Sequence, residues 1–155
     1  MADIATPGLN HIADLEVNVA PPIDVGQTQA GHRRIIPLLG GVVRGPRLNG
    51  RMLPGGADFQ IWRGDKCTEV HARYVLETDL GQQLYVENTG LRHGPPEAME
   101  RLARGELVDP AVIYFRTVAR FETAAAEFGW LTRAIVLCSG ARYPDRVAIR
   151  FFEVT

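Results

Sequence analysis

The sequence predicts an all-β protein: one antiparallel β-barrel of about nine strands with a single short helix. Three observations lead there. Apolar and polar residues alternate with period 2 in short runs, turn-forming glycine, proline and asparagine recur between those runs, and only one segment carries helix signals. The first run sets Ala13, Leu15, Val17 and Val19 against Asp14, Glu16 and Asn18, and Pro21-Pro22 ends it. Gly31 to Leu39 and Gly40 to Val43 follow, with Gly40 and Gly41 marking a bulge or sharp bend. Turn signals at Gly45-Pro46, Asn49-Gly50 and Pro54-Gly55-Gly56 lead into a hairpin of Ala57 to Arg63 and Thr68 to Thr78 around Gly64-Asp65. Gln82 to Asn88, Ile113 to Val118, Trp130 to Cys138 and Val147 to Val154 complete the strands. The helix opens at Pro95-Pro96, carries Glu97 in its first turn and ends at Gly105, with Met99, Leu102 and Ala103 on one face. It reads as a lid or plug, not a scaffold. A closed barrel leaves no exposed strand edges, and roughly eight to ten strands leave room for one small ligand. A packed sandwich is the alternative with the same spacings.

At 155 residues the chain has the size of one domain, residues 1–155, and contains no linker or repeat. A composition of 46% hydrophobic and 23% charged residues excludes disorder as the main state. The net charge of −1 supplies no field to gather nucleic acid or an anionic membrane, so neither is an expected partner. No apolar run approaches the roughly 20 residues that cross a bilayer. Residues 1–18 lack the basic and apolar regions of a secretion signal, and Cys67 and Cys138 suit free thiols in a reducing compartment. The expected location is cytoplasmic. The expected partner is a small molecule, and the large outer surfaces of long strands are compatible with a homo-oligomer.

His11, His32, His71 and His93 show no metal-binding spacing, and no CxxC is present, so neither a metal nor a dissociable cofactor is expected. Gly40-Gly41 precedes extended residues and lacks the helix N-terminus of a phosphate cradle. Lys66 is the only lysine. Arginine, the dominant cation, suits forked pairing with carboxylates, although a GC-rich genome produces the same bias.

Several segments carry a family resemblance: Ile36-Pro37 with Gly40-Gly41, Gly45-Pro46-Arg47-Leu48-Asn49-Gly50, Leu53-Pro54-Gly55-Gly56-Ala57-Asp58, Ala72-Arg73-Tyr74, Tyr114-Phe115-Arg116, Phe121-Glu122-Thr123 and Trp130-Leu131. From Gly31 onward the chain resembles the domain-of-unknown-function 3237 family. The likeness implies a small, lipocalin-like β-barrel and says little about activity. Leu80, in Asp79-Leu80-Gly81, departs from the pattern, since an acidic residue commonly stands there.

Asp58, Arg73, Tyr114, Arg116 and Glu122, with Trp62 and Trp130, form the candidate site. Asp58, Gln60 and Trp62 share one face of their strand, His71 and Arg73 one face of the next, and Tyr114 and Arg116 one face of a third. Those polar faces are either solvent-facing or the lining of an interior; the resemblance, whose motifs include these positions, favours the interior. Asp58 is then the first candidate for a general base, with Glu122 in reserve, while Tyr114, Arg73 and Arg116 grip and polarise a carbonyl or carboxylate. Trp62 and Trp130 are candidate stacking surfaces. Two functions follow: a cofactor-independent isomerase, cyclase, lyase or hydrolase using acid/base catalysis, or a non-catalytic carrier or sensor of a small aromatic or acidic metabolite. An interior filled by the protein's own side chains is a third, purely structural outcome.

Overall fold

A computed structural model describes residues 2–155, leaving Met1 of the first segment outside the described residues. Among the described residues ten strands form: β1 (Leu9–Val19), β2 (Ile23–Thr28), β3 (Gly31–Arg44), β4 (Gly50–Met52), β5 (Gly56–Trp62), β6 (Thr68–Thr78), β7 (Gln83–His93), β8 (Tyr114–Thr123), β9 (Val136–Arg142) and β10 (Arg146–Val154). Helix α1 (Pro96–Ala103) separates β7 from β8. Every pairing is antiparallel, in the order β1-β10-β9-β8-β7-β6-β4-β3-β2, and a further β1–β3 ladder closes the sheet into a barrel.

Two of the barrel's staves are broken in the middle. β4 and β5 together fill the position between β3 and β6, interrupted at Leu53-Pro54-Gly55. β1 and β2 lie along the other edge of β3, interrupted at Pro21-Pro22, where the missing proline N–H groups end the ladder. The β3 strand serves all four partners by bending at Gly40, whose φ of +119° lies outside the range that other residues adopt easily. This bend merges the two runs expected on either side of Leu39 into one strand of 14 residues. At Gly41 the constraint is space: a Cβ there would sit 2.0 Å from the Glu16 carbonyl oxygen across the ladder. Gly41→Ala is therefore expected to destabilise the barrel by about 2–4 kcal/mol, measurable by urea unfolding, because β1 must move to admit one methyl group.

The expectations for β5, β6, β10 and the helix match the observed elements closely. Others differ. β2 and β4 are additional strands, β7 runs five residues past Asn88 to His93, and β8 runs on to Thr123. The expected strand Trp130 to Cys138 begins instead in a 3-10 helix over Ala126–Arg133, whose Phe128 and Leu131 plug one end of the barrel, and only its last three residues are strand. Helical spacing of apolar residues at 128 and 131 outweighs the β-branched run after them, which begins β9 only at Val136.

The interior is graded. At the plugged end it is mainly apolar, with Leu84, Val86, Phe121, Val136 and Phe151 fully or almost fully buried and Thr78 the buried polar residue there. At the other end α1 lies across the opening with Met99 buried, and buried polar groups collect beneath it: Asp58, Gln60, Thr68, Asn88, Arg92 and Thr117. No helix among the described residues is long and apolar enough to cross a membrane.

Candidate functional site

A cavity of about 50 Å³ lies inside the barrel beneath α1, with a second space of about 30 Å³ between it and the helix. The cavity has room for a few water-sized atoms, at roughly 10–15 Å³ each. Its walls are mainly aliphatic, from Leu15, Val17, Leu38, Met52 and Ile149. Its polar residues are Asp58, Gln60, Tyr74, Asn88, Arg92, Thr117 and Arg142. The second space shares Gln60, Arg92 and Arg142 and adds Arg34, Trp62 and the α1 residues Met99 and Leu102. An outer cleft of about 390 Å³ beside Pro21, Pro22 and Pro144 shares Arg34, Leu102 and Arg142 with that space.

Strand parity puts these groups inside. In β7, Leu84, Val86, Asn88 and Arg92 share the inward face, so the register that buries two aliphatics also buries an amide and a guanidinium. In β8 the inward set is Phe115, Thr117, Ala119 and Phe121, and β9 brings Val136, Cys138 and, at its end, Arg142. Asp58 and Gln60 come from β5, whose exposed Phe59 faces out between them.

Asp58 is held at a fault in the wall. β5 and β6 pair at Ala57↔Arg73, Asp58↔Ala72, Ile61↔Glu69 and Trp62↔Thr68, but Phe59 and Gln60 drop out of the ladder. The His71 N–H at this gap donates to Asp58 Oδ1 at 2.9 Å, and the Phe59 carbonyl accepts from Arg33 Nη1 at 3.1 Å. Gln60 Nε2 donates to Asp58 Oδ2 at 2.7 Å. Burial pushes the Asp58 carboxyl above the ordinary aspartate range, opposed by these two hydrogen bonds and by the charges of Arg92 and His71.

Arg92 is the only other charged side chain that is buried among the described residues. Its Nε has no hydrogen-bond partner, and its guanidinium lies 5.4 Å from the Phe115 ring. Burial pushes its pKa down to about 10; Asp58 opposes that shift, whereas Arg142 and Arg34 add to it. Arg142 is lowered too, by burial first and then by Arg34, and it donates to the Tyr143 and Arg146 carbonyls of its own hairpin. Three further buried atoms lack partners: Asn88 Oδ1, Thr117 Oγ1 and Trp62 Nε1. All four orphans belong to residues lining the cavity or the space above it, where buried polar atoms normally find partners. Burial lifts the Cys138 thiol to about 12, which keeps it neutral and unreactive. No three His, Cys, Asp or Glu among the described residues gather closely enough to hold a metal ion.

The family model described as protein of unknown function (DUF3237) matches residues 7–154. The chain belongs to the DUF3237 family. A relative from Rhodopseudomonas palustris, named a UPF0311 protein, is 45% identical over 151 residues, covering 96% of this chain and 99% of its own. The crystal structure of a conserved protein of unknown function from that organism is similar at a TM-score of 0.93, with 43% identity and coverage of 99% and 100% of the two chains. A β-barrel-like protein from Acinetobacter baumannii matches at a TM-score of 0.87, with 34% identity over 100% of both chains. A structure described as an enzyme from Penicillium herquei shares 16% identity at a TM-score of 0.74 over the full length of both, a likeness of fold alone.

Within this DUF3237 barrel the seven candidate residues separate. Asp58 lines the cavity and Trp62 the space under α1. Arg73, Tyr114, Arg116 and Glu122 do not join them; they lie on the outer face. The physical reason is register: Arg73 pairs with Ala57 and Asp58 with Ala72, and paired residues share a face, so the polar face of β6 is the opposite one from that of β5. Arg73 instead approaches Glu87 and His71 outside, and Tyr114 stacks on His93 at 4.7 Å. Tyr114, Arg116 and Glu122 alternate with Phe115, Thr117 and Phe121, which take the interior. Trp130 sits in the 3-10 helix against the core, under the Arg47 guanidinium at 3.7 Å, and does not line the cavity. Arg73→Ala and Glu122→Ala are expected to change stability by less than about 1 kcal/mol in thermal unfolding, as is usual for exposed charges.

Arg92, Arg142, Asn88 and Thr117 are the site residues that the sequence reading did not select. A signal existed for two of them: Asn88 closes the expected strand on the parity of Leu84 and Val86, and Arg92 continues that parity four residues beyond it.

Proposed function

We propose that this protein binds a small carbonyl or carboxylate compound in the cavity beneath α1 and acts on it by acid/base catalysis without a cofactor. The observation that carries this reading is Asp58: one buried carboxylate with raised proton affinity in a mainly aliphatic cavity, opposite the guanidinium groups of Arg92 and Arg142. A carboxylate in such surroundings is a stronger base than one in water. It would take a proton from the carbon next to a carbonyl. The bond's electron pair would move to the carbonyl oxygen, where a guanidinium stabilises the enolate. Returning the proton to another carbon completes an isomerisation, and loss of a leaving group completes an elimination.

Deuterium exchange tests this directly. In D₂O, proton NMR should register loss of the C3 protons of 2-oxobutyrate faster with the protein than in buffer, and Asp58→Asn should reduce that excess rate by about a hundredfold or more. An exchange rate unchanged by Asp58→Asn would remove Asp58 from the role. A non-catalytic carrier or sensor is the second reading, favoured by one observation: both Asp58 oxygens already accept hydrogen bonds, as in a structural carboxylate. Binding of 2-oxobutyrate without exchange would select the carrier.

A further inference from the structure

The charges around the two spaces beneath α1 do not balance. Arg34, Arg92 and Arg142 line them, and Asp58 is their only acidic residue. The excess is at least two positive charges even with Asp58 ionised. Neither Arg92 nor Arg34 forms an ion pair among the described residues; the Arg34 guanidinium instead lies 5.8 Å from the Trp62 ring, and Arg142 donates only through Nη1, to two neutral carbonyls. Elsewhere this chain pairs its arginines freely: Arg47 with Glu153, Arg51 with Glu77, Arg63 with Asp65 and Arg150 with Asp14. Guanidinium groups left unpaired under a lid, beside orphaned Trp62 and Arg92 N–H donors, are arranged for an anion.

The remaining walls narrow the anion's chemistry. Below the guanidinium layer the cavity is bounded by Leu15, Val17, Leu38, Met52 and Ile149. Inorganic phosphate would leave that part empty, whereas a short hydrocarbon tail fills it.

Resting on the reading of this cavity as the ligand site, we propose that the ligand is a small amphipathic carboxylate. Its head is held by Arg92 and Arg142 beneath α1, and its apolar tail points down the barrel axis past Asp58. The path in runs between α1 and Pro21-Pro22, where the outer cleft meets Arg34 and Arg142. The carboxylate meets Arg34 first and Arg92 last, so the arginines form a graded route inward.

The test uses Trp62 as a reporter. Its indole N–H lacks a partner beside the site, and Trp130 is the only other indole in the chain, so the two signals in a nitrogen-15 NMR spectrum are assigned with one Trp62→Phe variant. The full-length protein is titrated with acetate, butyrate and hexanoate, with the matched neutral amides and with inorganic phosphate. The expected result is a saturable shift of the Trp62 signal by butyrate or hexanoate, at affinities about tenfold or more tighter than the matched amides, with Trp130 unmoved. Arg92→Met and, separately, the less buried Arg142→Met should each weaken carboxylate binding about tenfold or more, and Arg120→Met on the outer face should not. The same spectra report whether each variant is folded, and Arg142→Met keeps the test open should Arg92→Met fail to fold. Amides that bind as tightly as carboxylates, or carboxylate binding indifferent to both variants, would overturn the anion assignment and leave the ligand cavity standing. Phosphate binding tighter than butyrate would overturn the amphipathic tail. No shift of Trp62 by any of these probes would overturn both the assignment and the cavity's role.

Discussion

Replacing Arg92 with methionine is expected to make the ligand-free barrel more stable, by about 1–3 kcal/mol in urea unfolding. The guanidinium is almost fully enclosed, its Nε has no partner, and burial pushes its pKa down to about 10. At about 1.4 kcal/mol per unit, holding that charge costs the fold on the order of 3 kcal/mol. Methionine keeps most of the aliphatic stem against Phe115 and removes the charge; that cost is a net one that already includes the attraction to Asp58, and part of the gain is offset by imperfect filling. The sign with pH is fixed as well. Arg92 has a depressed folded pKa and is charged in both states at any pH below about 10, so its own titration leaves the gain unchanged. The gain should be greatest in acid, where Asp58 is neutral, shrink as Asp58 ionises and attracts Arg92, and then stay flat up to about pH 9. Such a variant should be more stable and unable to hold a carboxylate, the pattern of a group retained for binding at the expense of stability. Destabilisation by more than about 1 kcal/mol would instead make Arg92 a structural group, its packing worth more than its desolvation.

Asp58→Asn is expected to have the largest effect on chemistry, and its effect on stability should depend on pH. The folded carboxyl has a raised pKa because burial disfavours its charge. Below the unfolded carboxylate range, near about pH 3.9, Asp58 is neutral in both states and resembles asparagine. As pH rises through that range and on through the raised folded value, the wild-type protein loses stability that the asparagine variant does not lose. The stability of Asp58→Asn relative to wild type should therefore climb with pH and level off once the folded carboxyl is ionised. The amide keeps the acceptor for the His71 N–H, and the Gln60 side chain can reverse to present its oxygen. Unfolding curves from pH 3 to pH 8 measure the difference. A relative stability that falls as pH rises would mean that Arg92 and the two donors outweigh burial and hold Asp58 as a structural anion.

The barrel was legible because its determinants are local and repeated. Alternation along β1, β6 and β10, turn residues between the strands, and one proline-started helix each point to the same architecture. What failed locally failed for tertiary reasons. The 3-10 helix at Ala126–Arg133 is a plug, and its apolar spacing follows the barrel end that it fills. β4 has only three residues and exists because β3 and β6 flank it.

The candidate site was half legible. Placing Asp58, Gln60 and Trp62 on one face of β5 was correct, and this is the face that turns inward. Joining them to Arg73, Tyr114 and Arg116 assumed that polar faces of neighbouring strands meet. In this barrel the polar face of β5 pairs with the apolar face of β6, because the register sets Asp58 against Ala72. Register follows from turn lengths and bulges, which alternation alone does not encode. Arg92 and Arg142 escaped notice for a related reason: a charged residue on an inward parity reads as the end of a strand, and here both arginines stand at strand ends that α1 covers.

The most direct test of the account is a crystal structure of the protein grown with butyrate or hexanoate. The expected result is density for the carboxylate under α1, its oxygens within hydrogen-bonding distance of Arg92 and Arg142 and its tail between Leu38 and Ile149 beside Asp58. Density for the ligand only on the outer surface, with the interior closed by its own aliphatic side chains and Arg92 turned out toward solvent, would contradict it.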